Sequence, residues 1–158
     1  MSNGSPAPTA IIFTHRLHHH HHHSISPLVL SLTADERTRS RHHFVTDDGT
    51  AIYLQLPRGT ALQEGDLLSS MADEILVKIA AKPEPVLTVT SDDSINLLRA
   101  AYHLGNRHVS LEITPTYLRL APDSVLAAML TQLGLQVVEQ IAPFCPQGGA
   151  YSNHSNHH

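Results

Sequence analysis

The chain has one cysteine, Cys145, and no tryptophan in its 158 residues. A single thiol excludes an intrachain disulfide framework, and with it the small disulfide-stapled class of secreted proteins. Charge is sparse as well. Only 15% of residues are Asp, Glu, Lys or Arg and the formal net charge is -4, so there is no basic field of the kind that holds nucleic acid or an anionic membrane. No apolar run approaches the roughly 20 residues of a membrane helix, and the first thirty residues hold no secretory apolar stretch. These absences predict a cytoplasmic protein whose partners are other proteins or small ions. Catalytic signatures are missing too: there is no nucleophile elbow, phosphate loop, dinucleotide fingerprint or pair of spaced cysteines. The sequence therefore predicts no enzyme and no catalytic residues.

What the chain has in excess is histidine, with 14 copies. His18, His19, His20, His21, His22 and His23 are consecutive, and His154, His157 and His158 stand in the closing SNHSNHH. Clustering of this kind points to metal binding. A run of six also has the composition of a purification handle. Its position between IIFTHRL and PLVLSLT, which read as the first two strands, favours a native surface loop, where such insertions are tolerated.

The length allows one ordinary core or two small ones, and the pattern divides the chain. Residues 1–10 are small and polar and read as a disordered leader. Residues 11–82 read as a small antiparallel β domain, with strands in IIFT, PLVLSLT, FVTDDGTAIYLQL and EILVKIAA separated by turn residues. Asp48-Gly49 predicts a type I′ hairpin turn. The prolines of Lys82-Pro83-Glu84-Pro85 predict a linker. From Val86 the rhythm changes to strand, helix, two strands, helix, strand. The first helix is capped by Asp92 or Asp93, places Ile95, Leu98, Ala101 and Tyr102 on one face, and ends at Gly105. Strands follow over Val109–Thr114 and Tyr117–Leu120. The second helix opens at Pro122, carries an apolar stripe of Val125, Leu126, Met129, Leu130 and Leu133, and stops at Gly134. Leu135–Ile141 is the last strand. The fold class is thus α+β, with a small antiparallel β domain followed by a ferredoxin-like βαββαβ domain over residues 86–143. Residues 144–158 read as a flexible tail.

Most isolated candidates for chemistry have a plain structural explanation. Cys145 has no identifiable base beside it and reads as a lone thiol. His42 and His43 are adjacent on a strand, so their side chains point to opposite faces and do not chelate one ion together. His103 lies within the first helix, where a packed imidazole is expected. His108 follows the helix, on a turn from which it can face solvent or a partner subunit. One imidazole is a poor metal site, since nickel, copper and zinc take about four to six donors. A two-fold dimer doubles it, because residues near the axis meet their own copies.

The segment AAYHLGNRHVSLEI, residues 100–113, resembles the signature of the UreE family of urease accessory proteins. TADERTRSRH (33–42), LPRGTAL with the following EGD (56–66), APDSVLAAMLTQLGL (121–135) and FCPQGGAY (144–151) are similar to further blocks of that family in the same order. The resemblance implies a nickel metallochaperone that delivers Ni²⁺ to apo-urease, with Cu²⁺ or Zn²⁺ also able to bind. It implies a homodimer that works with other accessory proteins, a GTPase among them, and an N-terminal domain for a partner or peptide. On this reading His108 is the principal ligand, contributed by both chains. His154, His157 and His158 are secondary ligands of the tail, and residues 18–23 form a weak accessory cluster. Some members carry further histidines around the start of the second helix; Ala121, Pro122 and Ser124 stand here, so that accessory site is not expected. A competing reading, a cytosolic nickel, copper or zinc buffer without specific delivery, shares every histidine. The N-terminal domain separates the two, because a buffer has no use for a partner-binding module.

Overall fold

The computed structural model describes residues 10–17, 27–46, 48–70 and 75–148. The chain forms two compact units, Met1–Ala81 and Lys82–His158. The histidine run 18–23 and the tail residues His154, His157 and His158 lie outside the described residues.

The first unit is one six-stranded sheet, built from β1 (Ile11–Leu17), β2 (Leu28–Leu32), β3 (Arg41–Val45), β4 (Ala51–Gln55), β5 (Leu67–Ser70) and β6 (Leu76–Ala81), in the order β2-β6-β5-β1-β4-β3. Strict alternation marks the buried face: Ile52 and Leu54 of β4 are buried while Tyr53 and Gln55 are exposed. Phe13, Leu30, Leu32, Leu68, Val77 and Ile79 complete the core layer. Two pairings depart from the antiparallel expectation, since β1 runs parallel to β4 and β2 parallel to β6. Periodicity reports that a segment is a strand but not which strand lies beside it, and neither parallel pair is joined by a tight turn. The strand β5 had no apolar pattern to announce it, because Ser69 and Ser70 are buried within it. A short helix α1 (Ala34–Arg37) also went unread; Thr33 and Glu36 form a reciprocal capping box at its start. The β3–β4 hairpin exists, but its connection is longer than a two-residue type I′ turn. Thr46 N–H donates to Thr50 O, Gly49 N–H donates to Thr46 O, and Gly49 has φ 85. Left-handed glycine at that place belongs to the next longer class of hairpin loop.

The second unit contains β7 (Glu84–Thr90), α2 (Ser94–Asn106), β8 (Glu112–Ile113), β9 (Leu118–Leu120), α3 (Ser124–Gln132) and β10 (Gln136–Ala142). Its sheet order, β10-β7-β9-β8, is that of the ferredoxin-like arrangement. The expected linker is partly strand: Pro85 lies inside β7, opposite Ile141 of β10. It is tolerated there because β9 pairs only with Leu87–Val89, so β7 is open on that side at Pro85. Leu87, Val89, Leu118 and Leu120 point to the helices and pack with Leu97, Ala100, Leu104, Leu126 and Leu130. The expected stripe of α2 is real but faces outward. Leu98 and Tyr102 are each 66% exposed and Ile95 42%, while the buried face is one step round the helix. Val125 and Leu133 of α3 are exposed in the same way.

The helix α3 begins two residues later than the sequence suggested, at Ser124 rather than Pro122, with Asp123 as its N-cap; the Asp123 carboxylate accepts the Leu126 N–H at 3.0 Å. The segment after β10 is a larger difference. Phe144 is 4% exposed, Cys145 N–H donates to Glu112 Oε1 at 2.7 Å, and Gln147 N–H donates to Leu111 O at 2.7 Å. Residues 144–147, expected to belong to a flexible tail, are tied to the sheet.

Candidate metal centre

His108 owes its position to the end of α2. Asp93 caps the other end, its carboxylate accepting the Ile95 N–H at 3.1 Å. Leu97, Ala100 and Leu104 seat the helix on the sheet. The sequence placed the helix stop at Gly105, but the helix continues through Gly105 to Asn106, and Arg107 is its C-cap. The residue in the left-handed region is His108, with φ 57, the only non-glycine among the described residues to adopt a positive φ. Its N–H donates to Gly105 O at 3.0 Å, and the Val109 N–H donates to Leu104 O at 3.2 Å. That pair of bonds is a Schellman motif, which ordinarily carries glycine in the place of His108.

The same unit contains the ordinary version. At the end of α3, Gly134 has φ 87, its N–H donates to Thr131 O at 3.0 Å, and the Leu135 N–H donates to Leu130 O at 3.1 Å. In both corners an apolar residue follows the left-handed one and packs on the shared core, Leu135 in one and Val109 in the other. The two corners thus share this pair of hydrogen bonds and differ at the left-handed position, which holds histidine in one and glycine in the other. An L-residue in that conformation costs about 1–2 kcal/mol because its Cβ crowds the following carbonyl. Histidine is one of the few side chains enriched there, but it remains strained relative to glycine. The result is an exposed imidazole on a stiff corner whose backbone is fixed from both sides.

The other candidates are spread apart. His103 is exposed on α2, edge-on to Tyr102 with ring centroids 5.5 Å apart, so the expected packed imidazole is not observed. His42 and His43 alternate across β3 as expected: His42 is half-buried against Phe44 at 4.1 Å, and exposed His43 stacks on Tyr53 at 4.4 Å. Among the described residues, no three His, Cys, Asp or Glu side chains converge on one point. Nor does any helix among them have the length and apolarity to cross a membrane.

Sequence reasoning missed a polar cluster close to His108 along the chain. Glu112 of β8 sits across from Arg119 of β9, and Arg119 across from Thr88 of β7. The neighbours of Arg119 and Thr88, namely Leu118, Leu120, Leu87 and Val89, face the helices, so these polar side chains occupy the opposite face of the sheet. Arg119 Nε donates to Thr88 Oγ1 at 3.1 Å, its Nη1 lies 3.8 Å from Glu112 Oε2, and its guanidinium stands 4.4 Å over the Tyr117 ring. Burial, and then the hydrogen bond to Glu112 and its charge, push the Tyr117 phenol above its ordinary value. Alternation alone puts Arg119, between the helix-facing Leu118 and Leu120, on the open face of the sheet, so it gives no sign that Arg119 and Glu112 are paired and largely covered there.

The family models match along nearly the whole ordered chain. The C-terminal domain of the UreE urease accessory protein matches residues 84–158, and its N-terminal domain matches residues 13–82. Among similar proteins, the urease accessory protein UreE of Nostoc punctiforme is 59% identical over 129 residues, covering 82% of this chain and 87% of its own. That of Microcystis aeruginosa is 54% identical over 149 residues, covering 91% and 94%. That of Thermosynechococcus vestitus is 55% identical over 127 residues, covering 80% and 88%. With both domains matched in order and relatives of this similarity spanning most of its length, the chain belongs to the UreE family of urease accessory proteins, which assist an enzyme and are not enzymes themselves.

Proposed function

We propose that the chain is a cytoplasmic nickel metallochaperone that holds Ni²⁺ at His108 of two protomers and surrenders it to apo-urease, in company with the other accessory proteins and their GTPase. The observation that carries this reading is the strained corner. Glycine at that position would relieve the backbone, as Gly134 does in the equivalent corner, and an imidazole is retained instead. A side chain kept against local preference is evidence of use, because strain of this kind persists at functional sites.

The outward stripe of α2 supports the two-fold arrangement. Ile95, Leu98 and Tyr102 form an exposed apolar row that leads into the turn before His108. A second copy covering that row brings the two corners toward one axis and turns one ligand into two. Tail histidines His154, His157 and His158 then complete the donor set at high local concentration. Such a site is open and assembled from separate pieces, which suits transfer of an ion more than retention. Imidazole serves nickel, copper and zinc alike, and Cu²⁺ binds such donors more tightly than Ni²⁺, so the identity of the cargo follows from availability and docking, not from the ligands.

Urease activation at limiting nickel, in a host whose own chaperone is deleted, tests delivery. Restored activity with the unaltered chain, and none with His108→Ala, is the expected result. Nickel binding without any gain in urease activity would favour a buffering role instead.

A further inference from the structure

We propose that β10 is a docking edge for the β10 strand of a second copy, so that the four-stranded sheets of two C-terminal units join into one about a two-fold axis at Val138. The two edges of the sheet are unlike each other. β8 is two residues long, and beside it the Gln147 N–H donates to Leu111 O at 2.7 Å. β10 runs seven residues and pairs with β7 in unbroken register from Gln136 to Ala142. Among the described residues no strand lies on its other side. Natural sheets blunt such an edge with proline, charge, a bulge or a short strand. QVVEQIA has only one of these, the charge of Glu139.

Hydrogen bonding fixes which backbone groups this edge presents. Thr114 N–H donates to Tyr117 O, so Tyr117 and, two residues on, Arg119 turn their backbone groups to β8, while Leu118 and Leu120 turn theirs to β7. Carried across the ladder, the alternation makes Leu87 and Val89 face β9, and Val86, Thr88 and Thr90 face β10. Gln136, Val138 and Gln140 answer them. Pro85, opposite Ile141, agrees with this assignment, because no N–H is needed from it toward β10. Val137, Glu139 and Ile141 therefore direct their N–H and C=O groups away from β7.

An identical antiparallel strand fits these groups best in one register. Centred on Glu139, the two-fold axis would set two carboxylates directly opposite, which is destabilising. Centred on Gln140, it would run Val137 against Pro143, which has no N–H to give. Centred on Val138, it places Val137 opposite Glu139 of the second copy on both sides of the axis, each pair exchanging both of its N–H···O=C bonds. The carboxylates move to diagonal positions about 7–8 Å apart. The two Val138 side chains, 53% exposed in the single chain, meet at a non-hydrogen-bonded pair, where Cα atoms approach to about 4.5 Å. Gln136 falls opposite Gln140 of the copy on the same face, amide against amide. Such short edges bury well under the roughly 1,200 Å² of a stable interface, so the pairing is transient by itself. Combined with a second two-fold contact through the α2 row, it links dimers into larger assemblies.

Sedimentation velocity of the full chain across a concentration series reads the association, and chelator in the buffer excludes assembly bridged by metal. The parent chain should show a larger species that grows with concentration. Val138→Lys sets two ammonium groups opposite each other at the axis and should abolish that species, whereas Glu139→Gln removes the like charges and should raise it several-fold. Cross-linking in a chain carrying Cys145→Ser reads the register separately. Val138→Cys brings two thiols within the Cα separation of a disulfide, about 4.4–6.8 Å, and should give a disulfide-linked dimer in a glutathione redox buffer. Gln136→Cys, on the same face, lies roughly 13–15 Å from its copy and should give little or none. Equal cross-linking at the two positions, a parent chain with no larger species, or a Val138→Lys profile that matches the parent overturns the pairing.

Discussion

Replacing His108 by glycine should make the metal-free protein more stable while abolishing the tight nickel binding proposed for it. The left-handed backbone at His108, with φ 57, carries about 1–2 kcal/mol of strain that glycine does not feel. Against this, glycine loses more backbone freedom on folding, by about 0.5–1 kcal/mol. The net expectation is a gain of about 0.5–1 kcal/mol, because the exposed imidazole contributes little packing to be lost. For a unit of this size about 1 kcal/mol corresponds to a Tm shift of about 4–8 °C, so the rise should be about 2–8 °C. His108→Ala keeps the Cβ and hence the strain, and it should show no comparable rise. The assay is thermal unfolding followed by circular dichroism in chelator, with all variants at one protein concentration, and with Ni²⁺ titration of the same samples. A fall in Tm for His108→Gly would refute the reasoning, since it would mean that the imidazole makes stabilising contacts and is not held against the backbone's preference.

The converse substitution, Gly134→Ala, should destabilise by about 1–2 kcal/mol in urea melts, although a methyl there meets no atom within 4 Å; the penalty is conformational and not steric. Gly105→Ala, in open space within α2, should raise helix stability by about 0.5–1 kcal/mol; if the second copy packs closely on that face, sedimentation should also show weaker self-association. Leu98→Asp places a charge in the exposed apolar row and should leave the far-ultraviolet circular dichroism unchanged while shifting the protein toward monomer; an unshifted dimer would move the interface elsewhere. Deleting residues 18–23 should reduce the number of weakly bound nickel ions and spare the tight one, and loss of the tight ion would assign the histidine run the principal role.

The ferredoxin-like half was legible because its order of elements is local: Asp93, Gly134 and the alternation of β7 and β10 each speak for themselves. The N-terminal half was legible as strands but not as a sheet. Nothing in the residues of β1 says that it runs parallel to β4, because pairing depends on the whole chain. The stripe of α2 is legible as a face but not in its direction, for a related reason. Ile95, Leu98 and Tyr102 have helical spacing, and spacing alone does not tell an apolar face turned to a core from one turned to a partner.

His108 stands out as a candidate by its chemistry and by family likeness, but its conformation does not, because Gly105 offers an earlier stop for the helix. The missed signal lies in the spacing. In a Schellman corner the apolar residue that packs back on the helix directly follows the left-handed residue. Leu135 follows Gly134 in this way, and the corresponding apolar residue of the first helix, Val109, follows His108 and not Gly105. The two helix ends, aligned on these apolar residues, therefore put histidine in glycine's place on spacing alone. The same corner is the reason His108, and not the six-histidine run, is proposed as the principal ligand. Six consecutive histidines imply no particular backbone geometry, whereas His108 sits on a backbone held at φ 57 by two hydrogen bonds, which sets the direction in which its side chain leaves the chain. On the proposed role in nickel transfer, an anchor of this kind keeps one bond to the ion in place while its other bonds are exchanged one at a time.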